Sequence, residues 1–294
     1  MNDKSWTGKS KGGKTGYQIF VFLLKHAGLR AAYVLLRFVA FYFLVTPRSS
    51  TRFSYQYFRK LGFGKWKAFI SLYRNYYIFG QCLIDKISAM AGFGDRFSFY
   101  FEGEENLHQM VKNGKGGVLL SAHAGNWEIA GHYLDRLDTT VNIVMYDAEY
   151  ESIKNYLQSV TGERKAKIIT ISDDMSHIYK ILEALDKNEL ICMHADRMLN
   201  RAQRTISRPF LGENALFPYS IFRMIVAFGV PVSFVYAFRE PAFHYHFFAT
   251  EAVVYKDNRD IALAEISSSY VAELERKVKQ YPLQWFNYYD FWEK

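Results

Sequence analysis

The stretch GGVLLSAHAGNWE, residues 116–128, changes character halfway along. Its first part, GGVLLSAH (116–123), is a short continuous apolar run behind two glycines, the pattern of a strand buried on both faces of a parallel sheet. Its second part turns. Gly125 and Asn126 are turn and helix-N-cap residues, and Trp127, Ala130, Tyr133, Leu134 and Leu137 open a helical stripe. A strand that runs straight into a helix is half of a β-α-β unit, so this segment predicts an α/β fold. His123 then falls at the carboxyl end of the strand and Glu128 in the first helical turn, the corner at which open α/β sheets bind ligands.

The same alternation extends on both sides. FSFYFEG (97–103), TVNIVMYD (140–147), AKIITIS (166–172), ELICMHA (189–195) and VPVSFVYAF (230–238) read as strands, several with the continuous apolar character of buried ones. Trp66, Phe69, Ile70, Tyr73, Tyr76, Tyr77, Leu83, Ile84 and Ile87 repeat at helical spacing over 65–90. Met175, Ile178, Ile181, Leu182 and Leu185 mark a second helix, residues 219–228 a third, and residues 260–280 a last one stopped by Pro282. HYHFFATEAVVY (244–255) is expected as an antiparallel edge strand. The expected architecture is a mixed, largely parallel central sheet flanked by helices. No repeat or linker divides residues 60–294, so residues 51–294 read as one catalytic-size domain behind a prefix at 1–50.

At 294 residues and 50% apolar content the chain can bury a sizeable core. Aromatic residues make up 18%, including 22 Tyr and 25 Phe, which suits a surface meeting a bilayer interface. A net charge of +8 implies an anionic partner: nucleic acid, acidic headgroups or an acidic carrier protein. The aromatic tail lacks the basic interleaving of a nucleic-acid binder and reads as core packing. Cys82 and Cys192 lie in separate apolar segments, which excludes a disulfide framework or thiolate metal knuckle.

The basic arm contains GKSKGGKT (8–15), matching G-x-x-x-x-G-K-[ST], and Gly8 to Gly12 match G-x-S-x-G. Both motifs need a buried strand in front, and only MNDKSWT precedes them, so neither is functional. Residues 17–45 are overwhelmingly apolar and long enough to cross a bilayer as one helix. However, His26, Arg30, Tyr33 and Arg37 fall at i, i+4, i+7 and i+11 and form a polar, cationic stripe. A spanning helix would hold an arginine at mid-bilayer, which is costly. A helix lying in the interface avoids that, with Lys4, Lys9, Lys11 and Lys14 near anionic headgroups. The expectation is a non-spanning membrane anchor without a cleavable signal; the alternative is an ordinary buried first helix.

The pattern H-x-x-x-x-[DE] occurs twice, in HAGNWE and in HFFATE (His246 and Glu251), so spacing alone is not diagnostic. HFFATE lies in a strand, where residues five apart face opposite ways. In HAGNWE a folded-back turn lets Glu128 hold one imidazole nitrogen while the other takes a proton from a hydroxyl. Amides at the helix start can meet an oxyanion. That chemistry serves acyl transfer to an alcohol without a protein nucleophile. The plain alternative is a buried histidine beside a first-turn glutamate.

Asp196 has three readings: it positions the base, binds a phosphorylated head group, or caps the sheet. His194 alternates with Asp196 on one strand face, but His123, Glu128, His194 and Asp196 lack tight metal-ligand spacing, and no metal is expected. Arg197, Arg201, Arg204 and Arg208 form a cationic ladder if helical and scattered surface charge if not. Arg223 either meets an anionic ligand or is a solvated helix flank.

HAGNWE resembles the signature of the bacterial lipid A late acyltransferases, a branch of the lysophospholipid and glycerolipid acyltransferase superfamily, and the likeness runs from about residue 17 to the end. FLGENALFPYSIFRMIVAFGVPVSFVYAF (210–238) is similar to the family's FxG block, helix and G-x-P-V strand. MHADR (193–197) stands where the family has an acidic residue followed by Gln, and YPLQWFNYYDFW (281–292) resembles its closing P-x-Q-W segment. Arg197 in place of Gln, and Tyr219-Ser220 in place of Gly-Pro, are departures that bear on the acceptor. The resemblance implies His123 as general base and Glu128 as its orienting acid, with Asn126, Asp196, Arg197, Gly212 and Arg223 binding substrate. It implies no cofactor: the co-substrate is a fatty acyl thioester of acyl carrier protein or coenzyme A. It further implies a glycolipid acceptor, a lipid A precursor foremost, an apolar acyl groove, and a place on the cytoplasmic face of a bacterial inner membrane. A lysophospholipid or amino-acid-based lipid acceptor, hydrolysis by water, and a catalytically silent lipid-binding protein are the competing readings.

Overall fold

The structure, a computed structural model, describes residues 14–46, 49–126, 129, 137–146, 167–172, 174–198, 204–256 and 258–292. Its frame is a seven-stranded sheet: β1 (Ser98–Glu102), β2 (Gly117–Ser121), β3 (Val141–Tyr146), β4 (Lys167–Ile171), β5 (Leu190–His194), β8 (Val232–Glu240) and β9 (His244–Ala249). The spatial order is β1-β9-β8-β2-β5-β3-β4. The five strands from β8 to β4 are parallel, β9 runs antiparallel to β8, and β1 pairs parallel with β9. The α/β expectation is borne out. Every residue of β2 is buried, as its unbroken apolar character required, because helices cover both faces of a parallel sheet.

The helices are α1 (Lys14–His26), α2 (Gly28–Val45), α3 (Ser49–Lys60), α4 (Lys65–Ser88), α5 (Glu104–Lys112), α6 (Ser176–Asp186), α7 (Tyr219–Phe228) and α8 (Arg259–Gln280). A π-turn at Ala89–Phe93 ends α4. The helix expected from Trp127 to Leu137 lies almost wholly outside the described residues, as do the lysine arm, Arg201 and Glu128.

Two expectations are corrected and one open alternative is decided in part. First, β9 is not an edge. Tyr245, Phe247 and Phe248 are all buried, and β1 covers the outer side with Phe99 and Phe101 stacked on Phe247 at 5.5 and 4.6 Å between ring centroids. Second, residues 17–45 form two helices. Gly28 adopts a left-handed φ of 79° and restarts the helix at a new phase. The break separates His26 from the stripe; within α2, Arg30 and Arg37 face outward, while Tyr33 lies at the margin of the buried side with Leu29, Ala32, Leu36 and Ala40. Among the described residues, Arg197, Arg204 and Arg208 lie outside helices, which leaves the scattered-charge reading of the arginine series. Arg208 lies in β6 (Thr205–Phe210), which pairs antiparallel with β7 (Glu213–Pro218) through a turn at Leu211 and Gly212. Both turn residues have positive φ, 54° and 84°, the geometry of a two-residue hairpin.

The main core lies between the sheet and α7 and α8, where Ile266, Tyr270, Leu274 and Val278 recur at helical spacing. It is closed by an aromatic cluster: Phe210 is edge-on to Phe217, Trp285 and Phe291 at 6.1, 5.3 and 5.6 Å. Phe210→Ala leaves a cavity that this rigid cluster cannot fill, so the variant should lose about 3–5 kcal/mol in urea unfolding, against a minor change for Phe210→Leu.

Candidate active site

Parallel pairing of β2 with β5 sets Ser121 opposite His194. Two residues further on, the same register sets His123 opposite Asp196. Their side chains meet: His123 Nδ1 lies 2.7 Å from Asp196 Oδ1, and the backbone N–H of His123 donates to Asp196 Oδ2 at 3.0 Å. The indole N–H of Trp285 donates to the same Oδ2 at 3.0 Å, and the Tyr289 hydroxyl donates to the Asp196 carbonyl at 2.5 Å. Asp196 is fully buried, whereas the His123 side chain is 27% exposed.

These contacts set the electrostatics. Burial by itself would raise the Asp196 carboxyl; the charge and hydrogen bond of His123, with Arg197 and His194 behind, outweigh it and hold the group well below the ordinary carboxylate range. An ionised carboxylate can only accept, so the proton of a neutral ring stays on Nδ1 and the lone pair on Nε2. His194, whose ring centroid is 4.5 Å from that of His123, is pushed well below its usual value by burial and then by the charge of His123, so it is neutral at pH 7. Among the described residues no group of three His, Cys, Asp or Glu is placed to hold a metal.

The corner after His123 is pinned from both sides. The Phe286 N–H donates to the His123 carbonyl at 2.8 Å, the Gly125 N–H to the Gln284 carbonyl at 2.7 Å, and the Asn126 N–H to the Ala237 carbonyl at 2.7 Å. Gly125 has a φ of 70°, and a Cβ there would stand 2.1 Å from the Ala237 carbonyl oxygen, so the turn admits only glycine. Asn126 is buried: its amide donates to the Cys82 carbonyl at 2.9 Å and to the Tyr245 hydroxyl at 3.1 Å, and its oxygen accepts from the Ile129 N–H at 3.4 Å.

Of the residues singled out from sequence, the structure brings His123 and Asp196 into contact and seats Asn126 beneath the same corner. Arg197 donates to the Phe286 carbonyl at 2.8 Å, next to the segment that holds Asp196. Gly212 sits in the β6–β7 turn and Arg223 on the exposed side of α7. Glu128 lies outside the described residues. Sequence reasoning missed Trp285, Gln284 and Tyr289 as parts of the site, although the YPLQW signal had already marked their segment.

A buried carboxylate paired with a partly exposed imidazole at the carboxyl ends of adjacent parallel strands defines an α/β protein with its candidate site where open α/β sheets bind ligands. The chain belongs to the bacterial lipid A biosynthesis acyltransferase family, whose model matches residues 78–293. Phosphatidylinositol mannoside acyltransferases from two strains of Mycobacterium tuberculosis, CDC 1551 / Oshkosh and H37Rv, are each 26% identical over 128 residues, 43% of this chain and 40% of theirs. The chain thus spans about two fifths of the length of these curated relatives. Among solved structures, the 1-acyl-sn-glycerophosphate (LPA) acyltransferase of Thermotoga maritima matches with a TM-score of 0.39 and 14% identity, covering 87% of this chain and 98% of that one.

Two outcomes are expected. Gly125→Ala should cost at least tenfold in turnover and lower the melting temperature, because a Cβ cannot coexist with the Ala237 carbonyl. Asp196 also predicts an acid limit. Unfolded, it takes a proton near pH 4, and folded only well below that, so the folded state holds fewer protons in this range. Its contribution to stability is complete above pH 4 and lost as the pH falls further. The urea midpoint of Asp196→Asn should fall less steeply below pH 4 than that of the wild type.

Proposed function

We propose that this protein is a membrane-associated O-acyltransferase that moves a fatty acyl chain from an acyl thioester, carried by acyl carrier protein or coenzyme A, to a hydroxyl of a glycolipid, a lipid A precursor foremost. The observation that carries this reading is the His123–Asp196 pair, in a chain of this family. His123 Nε2 takes the proton of the acceptor hydroxyl as its oxygen attacks the thioester carbonyl carbon. Asp196, and Glu128 as the HAGNWE motif implies, favour the imidazolium that forms. Amides at the corner meet the oxyanion. The tetrahedral intermediate then expels the thiolate, breaking the C–S bond, and the imidazolium returns its proton to the sulfur. The products are an ester and a free thiol, with no acyl-enzyme and no cofactor. The curated relatives support a second acceptor class, a mannose-bearing phosphoinositide, through their names.

Membrane association is supported by an exposed apolar face. α2 is the one described helix long and apolar enough to cross a membrane, and its inner side packs on the protein. Its outer side presents Val34, Phe38, Phe41, Tyr42 and Val45 with Arg30 and Arg37. On α4, Trp66 (81% exposed), Phe69 and Ile70 present a similar stripe beside Lys65 and Lys67. A helix pair that lies in the interface satisfies both the packed and the greasy faces, keeps the arginines at headgroup level, and leaves the catalytic domain on the cytoplasmic side.

Labelled acyl transfer to candidate glycolipids tests the chemistry. His123→Ala should lose about 10²–10⁴-fold and Asp196→Asn a comparable amount, with both proteins folded. Wild-type rates in His123→Ala would overturn the mechanism. Replacing Phe38, Phe41 and Trp66 together by Ser should release the protein from vesicles containing anionic lipid. Unchanged sedimentation would remove the docking face.

A further inference from the structure

Beneath the corner lies a buried charge pair that the reaction does not use. Arg239, near the end of β8, donates through Nε to Asp85 Oδ2 at 2.9 Å, and Asp85 is fully buried. The hydroxyl of Tyr245 donates to the same oxygen at 2.6 Å, and that of Tyr33 donates to Oδ1. Arg239 Nη2 also reaches the Tyr33 hydroxyl at 3.3 Å. The carboxylate is thus surrounded by donors from α2, β8 and β9.

Burying such a pair costs more desolvation than its attraction reliably returns, and apolar side chains of similar volume often serve stability better. Its connections show another use. Tyr245 passes the network on, accepting from Asn126 Nδ2 at 3.1 Å, three residues beyond His123. The backbone of Arg239 is clamped at both ends by the Gln284 side chain, whose Oε1 accepts from the Arg239 N–H at 2.9 Å and whose Nε2 donates to the Arg239 carbonyl at 2.7 Å. The Gln284 carbonyl holds Gly125, and the next residue, Trp285, holds Asp196. Two routes therefore leave the pair and converge on the two members of the active site, one through Asn126 and one through Trp285.

We propose that Asp85 and Tyr245 are positioning residues for His123, fixing the corner at Asn126, and that Tyr33 makes the seating of α2, the helix with the apolar outer face, part of the same unit. The proposal rests on His123 being the proton acceptor. Neither Asp85 nor Tyr245 touches substrate; each acts through Asn126 on the angle at which His123 meets Asp196.

Tyr245→Phe removes the linking hydroxyl and keeps the ring packed against Phe97 and Phe99. In the full chain, with vesicles containing anionic lipid, the expected result is a fall in kcat of about 10- to 100-fold with KM for the acyl thioester changed less than twofold. Ile181→Ala, in the core under α6, controls for stability and should lower the melting temperature without that fall. A readout independent of turnover is the downfield proton resonance of the His123 Nδ1–H held by Asp196, which should shift or broaden in Tyr245→Phe and not in Ile181→Ala. If both kcat and the resonance match wild type, the positioning role is overturned. If the resonance moves while even the wild type transfers no acyl chain to any acceptor, the positioning role stands and the acyltransfer reading fails.

Discussion

A single buried carboxylate organises this molecule. Asp196 is removed from water altogether, and an ion in that position survives only when every lone pair finds a donor. It finds the imidazole and backbone amide of His123 and the indole of Trp285. The donors come from His123 after β2 and Trp285 near the end of the chain, so satisfying one charge fixes the ends of β2 and β5 and the C-terminal segment together. The geometry of the His123 corner and the local stability are then the same set of hydrogen bonds.

The C-terminal residues have a structural task that their composition disguises. Trp285, Phe291 and Trp292 close the core around Phe210, yet Trp285 and Tyr289 also deliver polar contacts to Asp196. Aromatic residues with a polar tip do both because their apolar body can be buried while the N–H or O–H reaches a partner. The same logic operates on the other side of the sheet. There Tyr33 and Tyr245 bury their rings against Phe243 and Phe97 and turn their hydroxyls to Asp85. The high tyrosine content is in part a supply of such bifunctional side chains.

The N-terminal helices show how one buried acceptor divides a face. Arg30, Tyr33 and Arg37 share the uninterrupted helix α2, and the left-handed Gly28 separates only His26 from them. The buried acceptor Asp85 holds the Tyr33 hydroxyl inside and leaves the arginines outside among Phe38, Phe41 and Tyr42. Cationic and aromatic groups then share the outer surface, a composition suited to headgroups and the adjoining acyl region.

Much was legible without coordinates. The apolar run of β2, the strand-to-helix corner, the periodic α4 and α8, and His123 at a strand end follow from local pattern, because periodicity and turn chemistry are properties of neighbouring residues. The break at Gly28 and the β6–β7 hairpin were less visible: a lone glycine in an apolar helix and a strand containing Pro209 each send conflicting local signals. Asp196 appeared in the sequence only as one of several possible partners, 73 residues from His123. Their contact comes from the β2–β5 register, a long-range pairing that sets Ser121 against His194 and therefore His123 against Asp196. Sequence determined which residues could do chemistry and at which kind of corner; tertiary structure brought Asp196 to the imidazole, because strand register depends on the packing of the whole sheet.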